Sequence, residues 1–173
     1  MNEMIILYIT GGMAGIIVLV FIIGLLLPKE RVVTRQSLFC VTPEVLYDIV
    51  TNNEDWHYRT DVDKLIIIEK KSDCEIWEET TSGGAVIRFT TREKKPHSFY
   101  SFNMESKLFS GYWTGTFEPV TGGKTLFTAT EHISVKNPFI KTLSYFLFNI
   151  GKLMENYQNH LKNKVNTEHP MLN

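Results

Sequence analysis

Residues 111–164 read GYWTGTFEPVTGGKTLFTATEHISVKNPFIKTLSYFLFNIGKLMENYQNHLKNK, and this stretch decides the fold. Two runs of alternating side chains flank Thr121-Gly122-Gly123, a turn sequence, so they read as an antiparallel hairpin. Asn137 and Pro138 follow as an N-cap and a first helical residue. From there Ile140, Leu143, Leu147, Ile150, Met154, Tyr157 and Leu161 recur at spacings of three and four, widened by Phe139, Phe146 and Leu153. That stripe predicts one long amphipathic helix over 137–164, which needs an apolar surface to cover it.

Upstream of the hairpin, further candidate strands occupy residues 64–71, 74–81, 85–92 and 99–106, separated by Ser72-Asp73, Ser82-Gly83-Gly84 and Lys94-Lys95-Pro96-His97. The strands of the hairpin itself are placed at 112–120 and 125–135. The short, regular spacing suits sequential antiparallel pairing. Earlier still, residues 31–41 read as a strand, and Thr42-Pro43-Glu44 opens a helix that stops near Thr51-Asn52-Asn53. Residues 53–63 read as a short irregular or helical segment. The resulting fold class is α+β: a curved antiparallel sheet around a long C-terminal helix.

The N-terminal end differs in kind. Residues 4–27 contain no charged side chain and would span ~36 Å as a helix, enough for a hydrocarbon core of ~30 Å. The preceding Met-Asn-Glu lacks a basic residue, and Leu25-Leu26-Leu27-Pro28 offers no small-residue cleavage site, so an anchor is expected rather than a cleaved signal. Lys29, Arg31 and Arg35 follow the span with no Lys or Arg before it. This asymmetry predicts a single-pass protein of the cell membrane with its domain on the cytoplasmic side. Gly11 and Gly15 have the spacing that lets two membrane helices approach, which makes homodimerisation through them one expected use. The expected organisation is an anchor over 1–28, a domain over 29–166 and a disordered tail over 167–173.

Formal net charge is -1, and with Glu3 in the anchor the remainder carries 18 basic and 18 acidic residues. Nothing in that balance points to nucleic acid. Cys40 and Cys74 stand apart without metal spacing, so buried free thiols are expected, and neither a metal nor a cofactor is. No glycosylation sequon occurs.

The order of elements resembles the START-like helix-grip superfamily, also called SRPBCC, and within it the polyketide cyclase/dehydrase and lipid-transport group. Residues 37–49, SLFCVTPEVLYDI, look like the family's strand-to-helix opening, Asp55-Trp56 like the aromatic after the first helix, and 111–128 like the penultimate hairpin. The resemblance covers about 31–164. It implies a helix-grip domain whose relatives bind lipids, hormones, polyketides or quinones, some of them as enzymes. It carries no catalytic motif to transfer.

Side-chain alternation, with every hairpin loop taken as even, sorts the strands into two faces. The inward set is Ile76, Glu78 and Thr80; Ala85, Ile87 and Phe89; Tyr100, Phe102 and Met104; Trp113, Gly115 and Phe117; then Leu126, Thr128, Thr130 and His132. Glu78 and His132 are its ionisable members, a candidate acid–base pair; the last strand is ambiguous, because Phe127, Ala129 and Ile133 make its other face more apolar. Trp56, Tyr58 and Arg59 form a second cluster, either a cavity rim with Arg59 meeting a ligand head or ordinary packing with Arg59 solvated. The expected ligand-binding residues are therefore Trp56, Tyr58, Arg59, Glu78, Ile87, Phe89, Tyr100, Phe102, Met104, Trp113, Phe117 and His132. Tyr145 and Phe148 sit off the apolar stripe beside Lys141 and Lys152, a pattern suited to a membrane interface. The function expected is a membrane-tethered binding module for a hydrophobic or lipid-like small molecule. The alternatives are a cyclase or dehydratase acting on a hydrophobic substrate, and a non-catalytic accessory protein.

Overall fold

A computed structural model describes residues 2–170. Its elements run α1 (Asn2–Leu26), β1 (Glu30–Phe39), α2 (Pro43–Thr51), β2 (Val62–Lys70), β3 (Glu75–Thr81), β4 (Val86–Lys95), β5 (Phe99–Glu105), β6 (Ser110–Val120), β7 (Lys124–Ser134), α3 (Pro138–Leu147) and α4 (Ile150–Glu168). The seven strands form one antiparallel sheet in the order β1-β7-β6-β5-β4-β3-β2. Strands β2 to β7 are a meander of hairpins. β1 instead crosses to the far edge and pairs with β7, from Glu30 opposite Ser134 to Phe39 opposite Thr125.

The sheet grips its core from one side. Pro43 starts α2 after an extended Thr42, whose hydroxyl makes no cap bond. The helix buries Leu46, Tyr47 and Val50 on one stripe. Tyr47 meets Phe117 edge-on at 5.3 Å, so α2 covers one end of the cup. α4 covers the rest with Ile150, Met154, Leu161 and Val165, all buried. Ser37 donates its hydroxyl to the Gln158 side-chain oxygen at 2.7 Å, and Gln158 returns a bond to the Arg35 carbonyl, fixing α4 along β1.

The C-terminal helix is not continuous. α3 ends at Leu147, and Phe148 and Asn149 leave helical geometry before α4 begins. Asn149 caps α4 by accepting from the Lys152 amide at 3.0 Å. Arg31 satisfies the end of α3, donating to the Ser144 and Phe148 carbonyls at 3.0 and 3.1 Å, with its guanidinium over the Tyr145 ring. An uninterrupted apolar stripe thus belongs to two helices, of which only α4 lies in the cup. α3 packs against the end of α1 instead.

Other expectations need smaller corrections. Of the two readings of 53–63 the irregular one holds, since residues 53–61 form turns. Cys40 is exposed rather than buried, because it lies just past the end of β1 with its side chain outside the core; Cys74 is half-buried, and both are free. α4 continues to Glu168, two residues into the segment expected to be a tail; residues 171–173 of that tail lie outside the described residues. α1 is one helix long and apolar enough to cross a membrane, and almost none of it is buried against the domain.

Candidate functional site

The interior of the cup is built from aromatic rings on adjacent strands. Trp77 on β3 stacks on Phe89 of β4 at 5.1 Å, and Phe102 on β5 stacks on Trp113 of β6 at 5.0 Å. The two stacks meet edge to face through Phe89 and Phe102 at 5.5 Å. Phe117 and Phe127 continue the layer toward α2, and Tyr157 of α4 approaches Trp113 edge-on at 6.5 Å. Among the expected lining residues, Ile87, Phe89, Tyr100, Phe102, Met104, Trp113 and Phe117 lie on this inner face, all belonging to β4, β5 and β6.

Glu78 and His132 do not. Glu78 points outward, is 36% exposed at its side chain and faces Arg88 at 3.6 Å. His132 stacks on Tyr112 at 4.0 Å on the outer face, with Arg92 over the same Tyr112 ring and Glu30 at 3.5 Å. The cause is the same in both places. Ser82-Gly83-Gly84 is a three-residue loop closed by the Thr81 amide on the Ala85 carbonyl, so Thr80 pairs with Val86 and Trp77 with Phe89. Thr121-Gly122-Gly123 likewise leaves Val120 paired with Lys124 and Phe117 with Phe127. Gly84, Gly122 and Gly123 have positive φ, which lets loops of odd length turn the chain. An odd loop pairs odd positions with odd positions, and each strand beyond it is inverted relative to an even count.

The inversion brings three carboxylates to the inner face that strand alternation had set outside or left aside. Glu75 is buried and accepts from the Asn53 side-chain amide at 3.0 Å. Glu79 is buried and accepts from Arg59 at 2.7 Å and from the Trp77 indole N–H at 3.0 Å. Arg59 is therefore neither solvated nor free for a ligand head; it neutralises Glu79. Tyr58, beside it, lies near Tyr157, and burial pushes both phenols above their ordinary range. Trp56 stacks on His57 at 4.3 Å, outside the aromatic layer. Both acids at this end of the cup are paired, while the Tyr100 hydroxyl is buried without a hydrogen-bond partner.

Glu131 is different. It sits on β7 between Val33 of β1 and Trp113 of β6, with Ala129 and Ile133 before and after it on the same face. No hydrogen bond or ion pair to its carboxyl occurs among the described residues. The apolar surroundings strip water from the charged form and push its pKa up to about 7. It is half-buried, not sealed. A carboxyl so placed exchanges its proton near neutral pH and can donate or accept one hydrogen bond from a polar group entering the cup. One clue to it lay in the sequence: the Phe127, Ala129, Ile133 face of β7 is the more apolar one, and Glu131 shares its parity.

Open pockets lie outside the cup, on either side of the connection from β7 to α3. One, of about 300 Å³, is lined by Lys29, Ser134, Val135, Lys136 and Lys141. The other, of about 340 Å³, is lined by residues 106–110 with Ser134, Lys136, Asn137 and Ile140. No group of His, Cys, Asp and Glu able to hold a metal occurs among the described residues.

No family model matches this sequence, and no curated protein matches it. Solved structures do. The Zhui aromatase/cyclase from Streptomyces superposes with a TM-score of 0.70 at 8% identity, over 82% of this chain and 97% of that one. A START superfamily protein from Mycobacterium smegmatis gives 0.64 at 14% identity, over 79% and 98%. Norcoclaurine synthase from Thalictrum flavum gives 0.64 at 14% identity, over 81% and 88%. At such identities the likeness is one of fold. The chain has the START-like helix-grip fold, a curved seven-stranded antiparallel sheet with a C-terminal helix, preceded by an apolar N-terminal helix.

Proposed function

We propose that this protein is a membrane-tethered module that takes a hydrophobic small molecule into the helix-grip cup, where Glu131 meets the molecule's polar group. The observation that carries this reading is the isolation of Glu131. Elsewhere in the cup each buried acid has a partner: Glu75 has Asn53, and Glu79 has Arg59 and Trp77. A desolvated carboxyl without one costs stability, and a ligand hydroxyl or amine would supply the missing bond. The apolar walls around it have the composition of a small-molecule site. The tether is α1, and the basic residues after it favour a cytoplasmic domain.

The experiment is extraction of the full chain from native membranes, followed by mass spectrometry of bound small molecules. A hydrophobic compound retained by the wild type and lost from Glu131→Gln, with the fold intact, is the expected result. Equal retention by both would remove Glu131 from the role, and no retained compound would count against the binding module.

A second reading, the non-catalytic accessory protein, draws on the packing of the same cup. The Trp77–Phe89 and Phe102–Trp113 stacks pack the sheet's inner face with rings, and Tyr157 of α4 reaches Trp113 edge-on. The acid–base pair that Glu78 and His132 would have supplied to an enzyme has no support, since both side chains face away from the cup.

A further inference from the structure

α3 is fastened to the last turns of α1. Gly24 lies so close to α3 that a Cβ there would stand 2.0 Å from the Pro138 carbonyl oxygen. Thr142 donates its hydroxyl to the Val20 carbonyl at 2.9 Å, and the Phe21 and Phe139 rings meet at 5.3 Å. If α1 spans a bilayer, these contacts hold α3 on the order of 10 Å from Lys29 along the helix axis, near the boundary of headgroups and acyl chains. The side of α3 turned from the domain is apolar: Phe146 is 77% and Leu147 76% exposed, next to Leu143 and Phe148. The segment 134–154 holds Lys136, Lys141 and Lys152 and not one acid.

The lysines converge where α3 meets α1. Lys29, Lys136 and Lys141 line one open pocket of about 300 Å³ with Ser134 and Val135. Lys141 is only 8% exposed, yet its ammonium has neither a hydrogen bond nor an ion pair among the described residues. Its stem is packed away while the ammonium opens into the pocket, so an anion there would be its nearest counter-charge. Lys29 and Lys136 are equally without ion pairs among the described residues.

We propose that this pocket binds the phosphate of an anionic phospholipid headgroup, while the exposed side of α3 rests in the acyl layer beside it. The site rests on the tether reading above and adds a lipid preference to it. A lipid, rather than a free phosphate, is the occupant because the basic pocket and the apolar side of α3 adjoin; a free anion would leave Phe146 and Leu147 in water.

The test uses the full chain in neutral detergent micelles with an equimolar mixture of phosphatidylglycerol and phosphatidylcholine, read by native mass spectrometry. The wild type should retain phosphatidylglycerol over phosphatidylcholine by at least about tenfold, as two or three lysines facing one anionic headgroup imply. Lys136→Gln combined with Lys141→Gln should abolish that preference. Lys152→Gln, outside the pocket, should keep it. Should the double variant fail to fold, Lys136→Gln alone, with the buried residue intact, should lower the preference several-fold. Equal retention of both lipids by the wild type, or an equal loss in Lys152→Gln, would overturn the site. So would uptake of inorganic phosphate that abolishes phosphatidylglycerol retention, which would identify a free-anion site. Alkaline carbonate washing of native membranes separates the two readings. Release of the chain would sink the tether and this site with it, whereas a chain that stays without a lipid preference would sink the site alone.

Discussion

α4 and α3 share one apolar stripe in the sequence, yet Leu161 on α4 has no exposed surface while Leu147 on α3 is 76% exposed. α4 lies across the sheet and is fixed to β1 through Gln158 and Ser37. α3 turns away at Phe148 and leans on α1. Periodicity shows that a helix has an apolar side; it does not say what covers that side. For α4 the cover is the aromatic layer of the sheet. For α3 it is α1 along one edge, and along the other, on our proposal, lipid.

The contrast can be broken by substitution, and the largest effect belongs to α4. Leu161→Ala should cost about 2–5 kcal/mol, the usual range for a buried Leu truncated in a packed core. Urea denaturation of the full chain in micelles, followed by tryptophan fluorescence, measures it. A cost under ~1 kcal/mol would mean that α4 does not hold the cup closed.

Glu131 lies inside the cup that α4 covers. Its carboxyl holds its proton up to about pH 7 when folded, against an ordinary value of 4.5. Below pH 4.5 both folded and unfolded chains carry the neutral acid, and the group has no effect on stability. Between 4.5 and about 7 the unfolded chain ionises first, so stability falls as pH rises, then levels off. The total loss is about 3 kcal/mol for a shift of this size. Glu131→Gln should remove the slope in that window and be the more stable protein at pH 8. A denaturation series from pH 4 to 8 with an identical slope in both proteins would show that Glu131 is solvated.

A smaller effect is expected where the two helices part. Arg31→Met removes the donor to the Ser144 and Phe148 carbonyls and the cation over Tyr145. The cost should be about 1–2 kcal/mol, confined to the end of α3. Hydrogen exchange should then quicken at the amides of the last turn of α3 while those of α4 keep their protection. Loss of protection in both would mean that the helices unfold as one unit.

The smallest effect belongs to the exposed side of α3. Leu147→Ala should change domain stability by less than ~0.5 kcal/mol, because the side chain leaves little packing behind. The same denaturation assay used for Leu161→Ala checks it. A cost as large as that of Leu161→Ala would show that Leu147 is covered by another part of the protein.

The element order was legible because strong local signals mark it. Asn137-Pro138 starts a helix, glycine turns break the meander, and an uncharged run of helical length stands at the N-terminus. The inner faces of β4, β5 and β6 were also legible, since their opposite faces carry Arg88, Asn103, Glu105 and Glu118, polar enough to decide the matter. β3 and β7 were not. On β3 the inward face holds Glu75 and Glu79, which look like surface residues until Asn53, Arg59 and the Trp77 indole are found beside them. On β7 both faces were plausible, and the loop length before it settled the choice.

By itself, then, the sequence determined the helix-grip arrangement, the apolar N-terminal helix and the aromatic filling of the middle strands. These follow from periodicity and turn chemistry, which act over a few residues. Long-range contacts settled that Glu131, rather than Glu78 or His132, is the unpaired ionisable group of the inner face, that Arg59 is spent on Glu79, and that the final stripe breaks at Phe148. Each of those depends on partners far along the chain or on the parity of a three-residue loop, and a one-residue change in loop count reverses every side chain beyond it.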